Sequence, residues 1–112
     1  MSQVPPLESA IQRAILEYLR WEGIFCFRVN QQGVPLHDGT GRYRPGPTQG
    51  VSDILGILPD GRFLAIEVKR PGGKPTPQQE AFLDAVKQAG GLAFVATSTD
   101  DVERAICPVR AA

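Results

Sequence analysis

The sequence is poor in the residues that build disulfide scaffolds and histidine-rich metal sites. Its 112 residues include two cysteines, Cys26 and Cys107, and one histidine, His37. Two thiols are too few for a disulfide framework and lack the spacing of a zinc site, so we expect both to fill the core. A single imidazole excludes metal centres built from two or three histidines. Ser-His or Cys-His catalysis would depend on His37 alone.

Long apolar segments are also absent. No apolar run approaches the roughly 20 residues that a membrane-spanning helix needs. Residues 1–6 do not combine a basic stretch with a continuous apolar segment, as a signal peptide would. Apolar residues make up 42% of the chain and charged residues 21%, which is typical of globular proteins. We therefore expect residues 1–112 to form a single globular domain in the cytoplasm.

The chain has no net charge, with 12 basic and 12 acidic residues, and this balance alone argues against a nucleic-acid partner. The charges are unevenly distributed, however. Between Arg28 and Lys74 there are seven basic residues against four acidic ones, whereas from Glu80 onward there are three against five. This asymmetry suits a protein that presents one face to phosphates, although solvated charge without a partner is the commoner cause of a modest excess.

Apolar residues at helical spacing predict a first helix from about residue 7 to Glu22, ended by Gly23. Glu8 falls at the edge of the stripe that should face the core. Two interpretations of this carboxylate stay open. It is either a functional group beside the core or a first-turn acid favoured by the helix dipole.

Residues 24–30 are rich in β-forming side chains and predict a strand, whereas residues 31–50 contain five glycines and three prolines. We expect no regular structure in that second stretch. Irregular segments of this length are unusual in a small domain and tend to be functional or mobile. Arg42, Tyr43 and Arg44 form a basic-aromatic cluster that could grip a nucleic-acid backbone, and a disordered hairpin tip is an equally good interpretation.

The rest of the chain predicts two strands, a helix, a strand and a final helix. Residues 51–58 and 62–69 flank Pro59-Asp60-Gly61, a strong signal for an antiparallel hairpin. Thr76 is placed to cap a second helix with Pro77 in its first turn, and Gly90-Gly91 closes it. A short strand over 92–97 and a helix over 98–106, capped by Ser98 or Thr99, complete the order αβββαβα.

The hairpin predicts a meeting of two carboxylates. If the turn is symmetric about Asp60, Asp53 lies opposite Glu67. Like charges opposed across a ladder, with Cβ atoms about 4.5–5.5 Å apart, are destabilising, and a divalent cation such as Mg²⁺ or Mn²⁺ would offset the repulsion. Lys69 shares a strand face with Glu67. A bulge in the turn would shift the pairing by one residue.

A plainer interpretation is a solvent-exposed sheet face on which Asp53, Glu67 and Lys69 pair casually. Against it, residues 63–68 are apolar on both faces apart from Glu67, which is typical of a central, doubly covered strand. An unpaired carboxylate buried there would be costly.

The motifs in this region resemble the virus-type replication-repair nuclease (VRR-NUC) domain of the PD-(D/E)XK superfamily. The resemblance rests on Gly50-Val51-Ser52-Asp53-Ile54, on Ile66-Glu67-Val68-Lys69, on a first helix bearing Glu8 and on the segment Thr76-Pro77-Gln78-Gln79-Glu80-Ala81-Phe82. It covers about residues 8–106 and implies a restriction-endonuclease-like αβββαβα core, an α/β fold with a central mixed sheet flanked by helices. Gln49 stands where many members have proline, a departure that concerns loop shape.

The resemblance also implies roles for individual residues. Asp53 and Glu67 match the metal-binding acids and Lys69 matches the catalytic lysine, while Glu8 and Gln79 match the glutamate of helix one and the glutamine of helix two. Glu8 would be an auxiliary metal ligand, and Val68 would offer a backbone carbonyl to the metal while its side chain packs into the core. Gln79 could equally close a capping box with Thr76, and one residue could do both.

These roles imply a Mg²⁺- or Mn²⁺-dependent endonuclease, and we expect it to act on branched or structured DNA of the Holliday-junction or flap type. A single site cuts one strand, so paired cuts at a junction favour a homodimer. Five basic residues are candidates for phosphate contact: Arg28, Arg42, Arg44, Arg70 and Lys74. Two other interpretations stay open. One is a non-catalytic DNA-binding or assembly module on the same fold, and the other is a small protein-interaction domain whose charges are solvated.

Overall fold

The structure, a computed structural model, describes residues 7–29, 34–44 and 49–110. None of the helices in these ranges combines the length and the apolar character needed to span a bilayer. Three helices are present in this part of the chain, α1 (Glu8–Trp21), α2 (Pro77–Gln88) and α3 (Thr99–Arg110). The strands are β1 (Phe25–Arg28), β2 (Val34–Pro35), β3 (Tyr43–Arg44), β4 (Ile54–Ile57), β5 (Phe63–Val68) and β6 (Leu92–Ala96).

Four strands form a mixed sheet in the order β1-β4-β5-β6. β4 is antiparallel to both β1 and β5, whereas β6 runs parallel to β5 after the crossover through α2. The predicted α/β fold class is thus confirmed. β5 lies inside the sheet, and five of its six residues are buried, as its apolar sequence indicated.

The β4–β5 turn sets the register of the hairpin. Leu58 N–H donates to Arg62 O at 2.8 Å, and the Asp60 carboxylate accepts hydrogen bonds from the Arg62 backbone N–H and Nε. Ile54 lies opposite Ile66 and Ile57 opposite Phe63, so the pairing has the predicted register, without a bulge.

The sheet has a core on each face. α1 and α3 cover one face, where residues such as Ile15, Leu19, Ile54, Ile66 and Ile106 are fully buried. The second, smaller core lies on the other face, where Leu83 and Val86 of α2 pack against Ala65 and Ala93. Because successive strand residues alternate between faces, Asp53 and Glu67 belong to the α2 side, with Leu55 and Ala65.

The prediction that residues 31–50 contain no regular structure is wrong in part. β2 and β3 form a two-stranded antiparallel ribbon, with Val34 opposite Arg44 and Pro35 opposite Tyr43. In the connection, Leu36 N–H donates to Arg42 O, and the Asp38 carboxylate accepts from Thr40 N–H. The second bond is typical of an Asx-turn, in which the side chain stabilises a defined backbone conformation. Residues 30–33 and 45–48 lie outside the described ranges.

Other predictions differ from the structure in detail. β4 begins at Ile54 rather than Val51, and α3 continues to Arg110. Of the two predicted caps of α3, Ser98 accepts the hydrogen bond from Asp101 N–H, at 3.3 Å. Cys26 is buried as expected, but the assignment of Cys107 to the core is wrong because its side chain is exposed. Ile106 takes the buried position of that turn, and the next helical residue points about 100° away.

Gly50 fixes the path of the segment that leads to Asp53. Its φ is +78°, and a Cβ at this position would lie 2.2 Å from Gln78 O and 2.9 Å from Gln79 N. The loop therefore passes directly against the backbone of the first turn of α2. This contact ties the start of β4 to the helix that covers the same face of the sheet.

We predict that Gly50→Ala destabilises the fold more than Gly72→Ala. Both glycines have a left-handed φ, but a Cβ at Gly72 would meet no described atom within 4 Å, so Gly72→Ala costs only backbone strain of about 1 kcal/mol. Gly50→Ala adds a steric overlap with backbone, and we expect a total of about 2–4 kcal/mol. Chemical denaturation of both variants measures the difference, and equal free energies of unfolding would contradict the proposed contact.

Candidate active site

Asp53 directly precedes β4 and is held by both neighbouring strands, through its backbone on the β1 side and through its side chain on the β5 side. Its carbonyl accepts from Val29 N–H at 2.8 Å, which extends the pairing with β1 by one residue. Its Oδ2 accepts from Val68 N–H, also at 2.8 Å. The carboxylate thus replaces a backbone acceptor where the ladder ends and is held beside Glu67, the meeting that the hairpin register predicts.

Glu67 is buried on the central strand, with 1% of its surface exposed. Its Oε1 lies 3.9 Å from Lys69 Nζ. Its Oε2 is buried and has no hydrogen-bond partner among the described residues. The interpretation of Glu67 as a solvent-exposed surface charge is therefore wrong, because its side chain is buried. A buried carboxylate oxygen without a hydrogen-bond partner destabilises the fold.

The surroundings of Glu67 favour its neutral form. Burial, followed by the hydrogen bond and the negative charge of Asp53, raises the pKa of Glu67 to about 8. Lys69 opposes this rise, and the charge of Glu8 adds to it. Two carboxylates that repel each other in a low-dielectric site would stabilise a cation bound between them.

Glu8 lies in the first turn of α1 and is exposed. Its charge contributes to the raised pKa of Glu67, so the start of α1 lies within electrostatic reach of the pair. Within the described ranges, however, no group of three or more His, Cys, Asp or Glu side chains is arranged to hold a metal ion. The structure thus brings Asp53 and Glu67 together and leaves Glu8 farther out, in the helix-dipole position.

The paired carboxylates fit a hard divalent cation. Both offer oxygen, the ligand that Mg²⁺ and Mn²⁺ prefer, and Glu67 Oε2 is a buried oxygen without another partner in the described ranges. Mg²⁺ commonly takes one or two protein carboxylates and completes its coordination with water and substrate phosphate. Two converging carboxylates therefore meet the minimum that such an ion needs.

Gln79 has the capping role that its position allowed. Its Oε1 accepts from Thr76 N–H at 2.9 Å, and its own N–H donates to Thr76 Oγ1 at 3.2 Å. This reciprocal capping box starts α2 against the Gly50 loop. The capping role of Gln79 is confirmed, and the active-site role that the family resemblance implies for Gln79 stays a prediction.

The candidate phosphate contacts are spread over three segments. Arg28 is exposed at the end of β1, while Arg70 is half-buried and Lys74 exposed in the segment after β5. Arg42 is exposed, and its Nε donates to Thr40 Oγ1 within the ribbon connection. The side chain of Arg44 lies outside the described part of the structure. His37 is exposed.

Two residues beside the site have environments that the sequence did not reveal. Ser52 is fully buried, and its Oγ has no hydrogen-bond partner in the described part of the chain. Gly50 lies against α2, 28 residues farther along the chain at Gln78. The sequence shows a glycine and a small polar residue shortly before Asp53. Their environments depend on tertiary contacts, which the sequence alone does not specify.

Comparison with known proteins points to one family. The model of the VRR-NUC domain matches residues 43–100. A solved structure described as a VRR_NUC domain is 26% identical, with 88% of this chain and 92% of that chain covered and a TM-score of 0.60. A second, a VRR_NUC domain protein, shares the fold at 18% identity and a TM-score of 0.59, with coverage of 92% and 87%. The search of curated proteins gives no match.

We predict that the metal-free protein loses stability as the pH rises from about 5 to about 9. The pKa of Glu67 is raised from 4.5 to about 8, so above pH 4.5 the folded state holds a proton that the unfolded state has released, and ionisation opposes folding. A tenfold change in proton affinity is worth about 1.4 kcal/mol. We expect Glu67→Gln to remove this slope and to melt several degrees above wild type at pH 9.

Thermal melts in chelator at several pH values, with Glu17→Gln on the exposed face of α1 as the control, measure this effect. The control should follow wild type across the range. Parallel curves for wild type and Glu67→Gln would show that Glu67 is not held in its neutral form by the fold.

Proposed function

The chain belongs to the VRR-NUC domain family, and on this premise we propose that it is a Mg²⁺- or Mn²⁺-dependent nuclease that hydrolyses phosphodiester bonds in DNA. The observation that carries the proposal is the buried carboxylate of Glu67, which lies beside Asp53 and whose Oε2 has no hydrogen-bond partner among the residues that the structure describes. Outside a catalytic or ligand site, such an arrangement would only destabilise the sheet.

Asp53 and Glu67 are the residues that would hold the metal. The ion would supply Lewis-acid stabilisation of the attacked phosphate and a more acidic water. The protein keeps its two carboxylates in place through rigid contacts, since Asp53 is fixed by Val68 N–H and Glu67 by the central strand. Val68 directs its N–H toward β4, and in an antiparallel ladder the carbonyl of the same residue points to that side as well. The Val68 carbonyl is accordingly our third candidate ligand.

Lys69 is the catalytic cation of the proposal. It follows the strand that carries Glu67, and its side chain is mostly buried at 15% exposure. An ammonium group held near the carboxylates can orient a water molecule by hydrogen bonding and can stabilise negative charge that develops on the phosphate. Its ion pair with Glu67 at 3.9 Å is long enough to be exchanged for a substrate contact.

Glu8 and Gln79 are auxiliary in this mechanism. Glu8 lies within electrostatic reach of Glu67, so we assign it a contact through water rather than direct coordination. Gln79 keeps the first turn of α2 and the Gly50 loop in position. Their replacement should reduce activity less than that of Asp53, Glu67 or Lys69.

For the substrate, we propose branched or structured DNA of the junction or flap type, cut endonucleolytically in the cytoplasm by a homodimer. A single site cuts one strand, so paired cuts at a branch favour a twofold assembly. Residues 1–112 would act as one domain, and recognition by this domain would rest on backbone and shape. The basic excess between residues 28 and 74 supports phosphate contact.

A non-catalytic DNA-binding module on the same fold is the second candidate. The set of Asp53, Glu67 and Lys69 argues against it, because a binding module has no use for a buried carboxylate oxygen that finds no partner in the described part of the chain. Loss of turnover would remove the pressure to keep it.

We predict that Asp53→Ala, Glu67→Ala and Lys69→Ala each reduce cleavage by at least about 100-fold, because each removes a group that acts on charge at the reacting phosphate. The measurement is single-turnover cleavage of labelled linear, flap and four-way DNA in Mg²⁺, in Mn²⁺ and in chelator. Glu17→Ala and Lys87→Ala, exposed residues of α1 and α2, are the matched controls.

Equal cleavage by wild type and the three variants would contradict the mechanism. Metal-dependent cleavage of all three DNAs at the same rate would support the nuclease activity but overturn the preference for branched substrates. DNA binding without cleavage in either metal would favour the non-catalytic module.

We predict that neutralising Arg28, Arg70 and Lys74 together weakens DNA binding and flattens its salt dependence. Each phosphate contact contributes about 0.9 to the slope of log affinity against log salt for duplex DNA, so three lost contacts should lower the slope by up to about 2.7. Fluorescence anisotropy with Asp53→Ala protein, at several salt concentrations, measures binding without turnover. An unchanged slope would show that these three residues do not contact the DNA phosphates.

A further inference from the structure

Two phenylalanines of β1 are exposed on the face of the sheet that carries the candidate site. Phe25 and Phe27 have 64% and 45% of their surfaces exposed, and their rings meet edge to face with centroids 6.1 Å apart. We call these two residues the aromatic pair. Ile57, which is paired with Phe25, extends the exposed apolar surface toward the hairpin turn. A contiguous exposed apolar surface is typical of an interaction site.

The aromatic pair lies beside the candidate site. Phe27 is paired with Leu55, and Asp53 comes two residues before Leu55. Because successive residues of a strand alternate between faces, Phe25, Phe27 and Asp53 belong to the same face. Strands about 4.8 Å apart and residues about 3.4 Å apart put the Cα atoms of Phe27 and Phe25 roughly 8 Å and 14 Å from that of Asp53.

This face is open on the β1 side of the site. α2 packs against β5 and β6, whereas Phe27 on β1 and Ile57 on β4 stay exposed in the described structure. A DNA strand whose phosphate reaches Asp53 and Glu67 can therefore continue over the aromatic pair without meeting a helix.

We infer that Phe25 and Phe27 stack against unpaired bases of the DNA strand that is cut. The inference rests on the proposed function, because the phosphate at the metal site sets the position of the strand. Nucleotides in a duplex advance by about 3.4 Å along each strand, and the two rings lie roughly 8 Å and 14 Å from Asp53. The aromatic pair thus holds bases within about four nucleotides of the scissile phosphate.

An aromatic ring suits a base as its ligand because every base has a flat face that stacks on it, whatever the sequence. The base must be unpaired or unstacked first, since the neighbours in a duplex already cover both of its faces. The aromatic pair therefore selects DNA with unpaired nucleotides close to the cut. A flap carries such nucleotides, whereas the arms of a four-way junction are paired.

The charges beside the aromatic pair fit a nucleic-acid strand. Arg28 directly follows Phe27 and is exposed, and residues 24–29 contain no acidic side chain. Lys69 lies at the site itself, 3.9 Å from Glu67. Proteins that bind single strands combine cations that contact the phosphates with rings that contact the bases.

The first test measures the affinity for an oligothymidine of about 12 nucleotides, a length within the site sizes of single-strand-binding folds. Fluorescence anisotropy in chelator, with Asp53→Ala as the parent protein, measures binding without cleavage. Phe25→Leu and Phe27→Leu keep an apolar side chain but remove the ring, so we expect each to weaken binding by at least about 5-fold. Phe27→Trp should bind at least as tightly as the parent, because indole also stacks.

Trp21→Leu is the matched control for the loss of an exposed ring. Trp21 is 89% exposed at the end of α1, the helix that covers the opposite face of the sheet. Its replacement should leave the affinity unchanged. Circular dichroism should show that all of these variants are folded.

The second test separates base stacking from phosphate contact. An oligonucleotide of the same length without bases should bind the parent more weakly than oligothymidine does. This difference should shrink at least about 5-fold when Phe25→Leu and Phe27→Leu are combined. The slope of log affinity against log salt should stay the same, because the phosphate contacts remain. Equal losses with and without the two rings would overturn the inference.

The third test returns to the single-turnover cleavage assay with an intact Asp53. Phe25→Leu and Phe27→Leu should lower the rate for flap DNA relative to the rate for four-way DNA by at least about 5-fold, while Trp21→Leu should keep the wild-type ratio. An unchanged ratio in both phenylalanine variants would show that the rings do not select unpaired nucleotides.

The outcomes separate this inference from the proposed function. Metal-dependent cleavage by wild type, with unchanged oligothymidine binding in both leucine variants, would overturn base stacking and keep the nuclease. Weaker binding in both variants, without cleavage by wild type, would keep base stacking and overturn the nuclease. Light scattering tests a protein contact instead, since variants that only dissociate a wild-type dimer and bind oligothymidine normally would overturn the inference.

Discussion

The burial of Glu67 on a central strand beside Asp53 is the constraint on which the site depends. The sheet can tolerate this carboxylate only as a neutral acid or with a cation beside it, because its Oε2 has no other partner in the described structure. The surrounding contacts prevent relaxation, since Asp53 is held by Val68 N–H and β5 is paired on both sides. The fold thus keeps an unfavourable arrangement in place, and sites that do this are usually functional.

Local signals predicted most of this arrangement. The Pro59-Asp60-Gly61 turn set the hairpin register, and the register set Asp53 beside Glu67. The apolar run around Glu67 indicated a central strand, and Thr76 and Gln79 indicated the capping box. Each of these features is set by residues that are close together in the sequence, either within one element or on two strands joined by a short turn. Such local interactions can be predicted from the sequence.

The features that escaped prediction depend on contacts between distant segments. The β2–β3 ribbon was hidden by a composition rich in glycine and proline, which describes the turn but not the short pairing beside it. The exposure of Cys107 follows from which side of α3 meets the sheet. The close contact of Gly50 with Gln78 depends on how α2 returns over the sheet, and periodicity within α2 does not specify that position.

The two acidic residues are joined by a single hairpin, only 14 positions apart in the chain. Closing so short a loop costs little conformational entropy, and contacts of this kind are among the first that a folding chain can make. The chemistry of the site therefore belongs to the most local unit of the molecule. Insertions in the ribbon or extensions at either end can accumulate without separating the pair, which gives the surrounding structure freedom to diverge while its centre is retained.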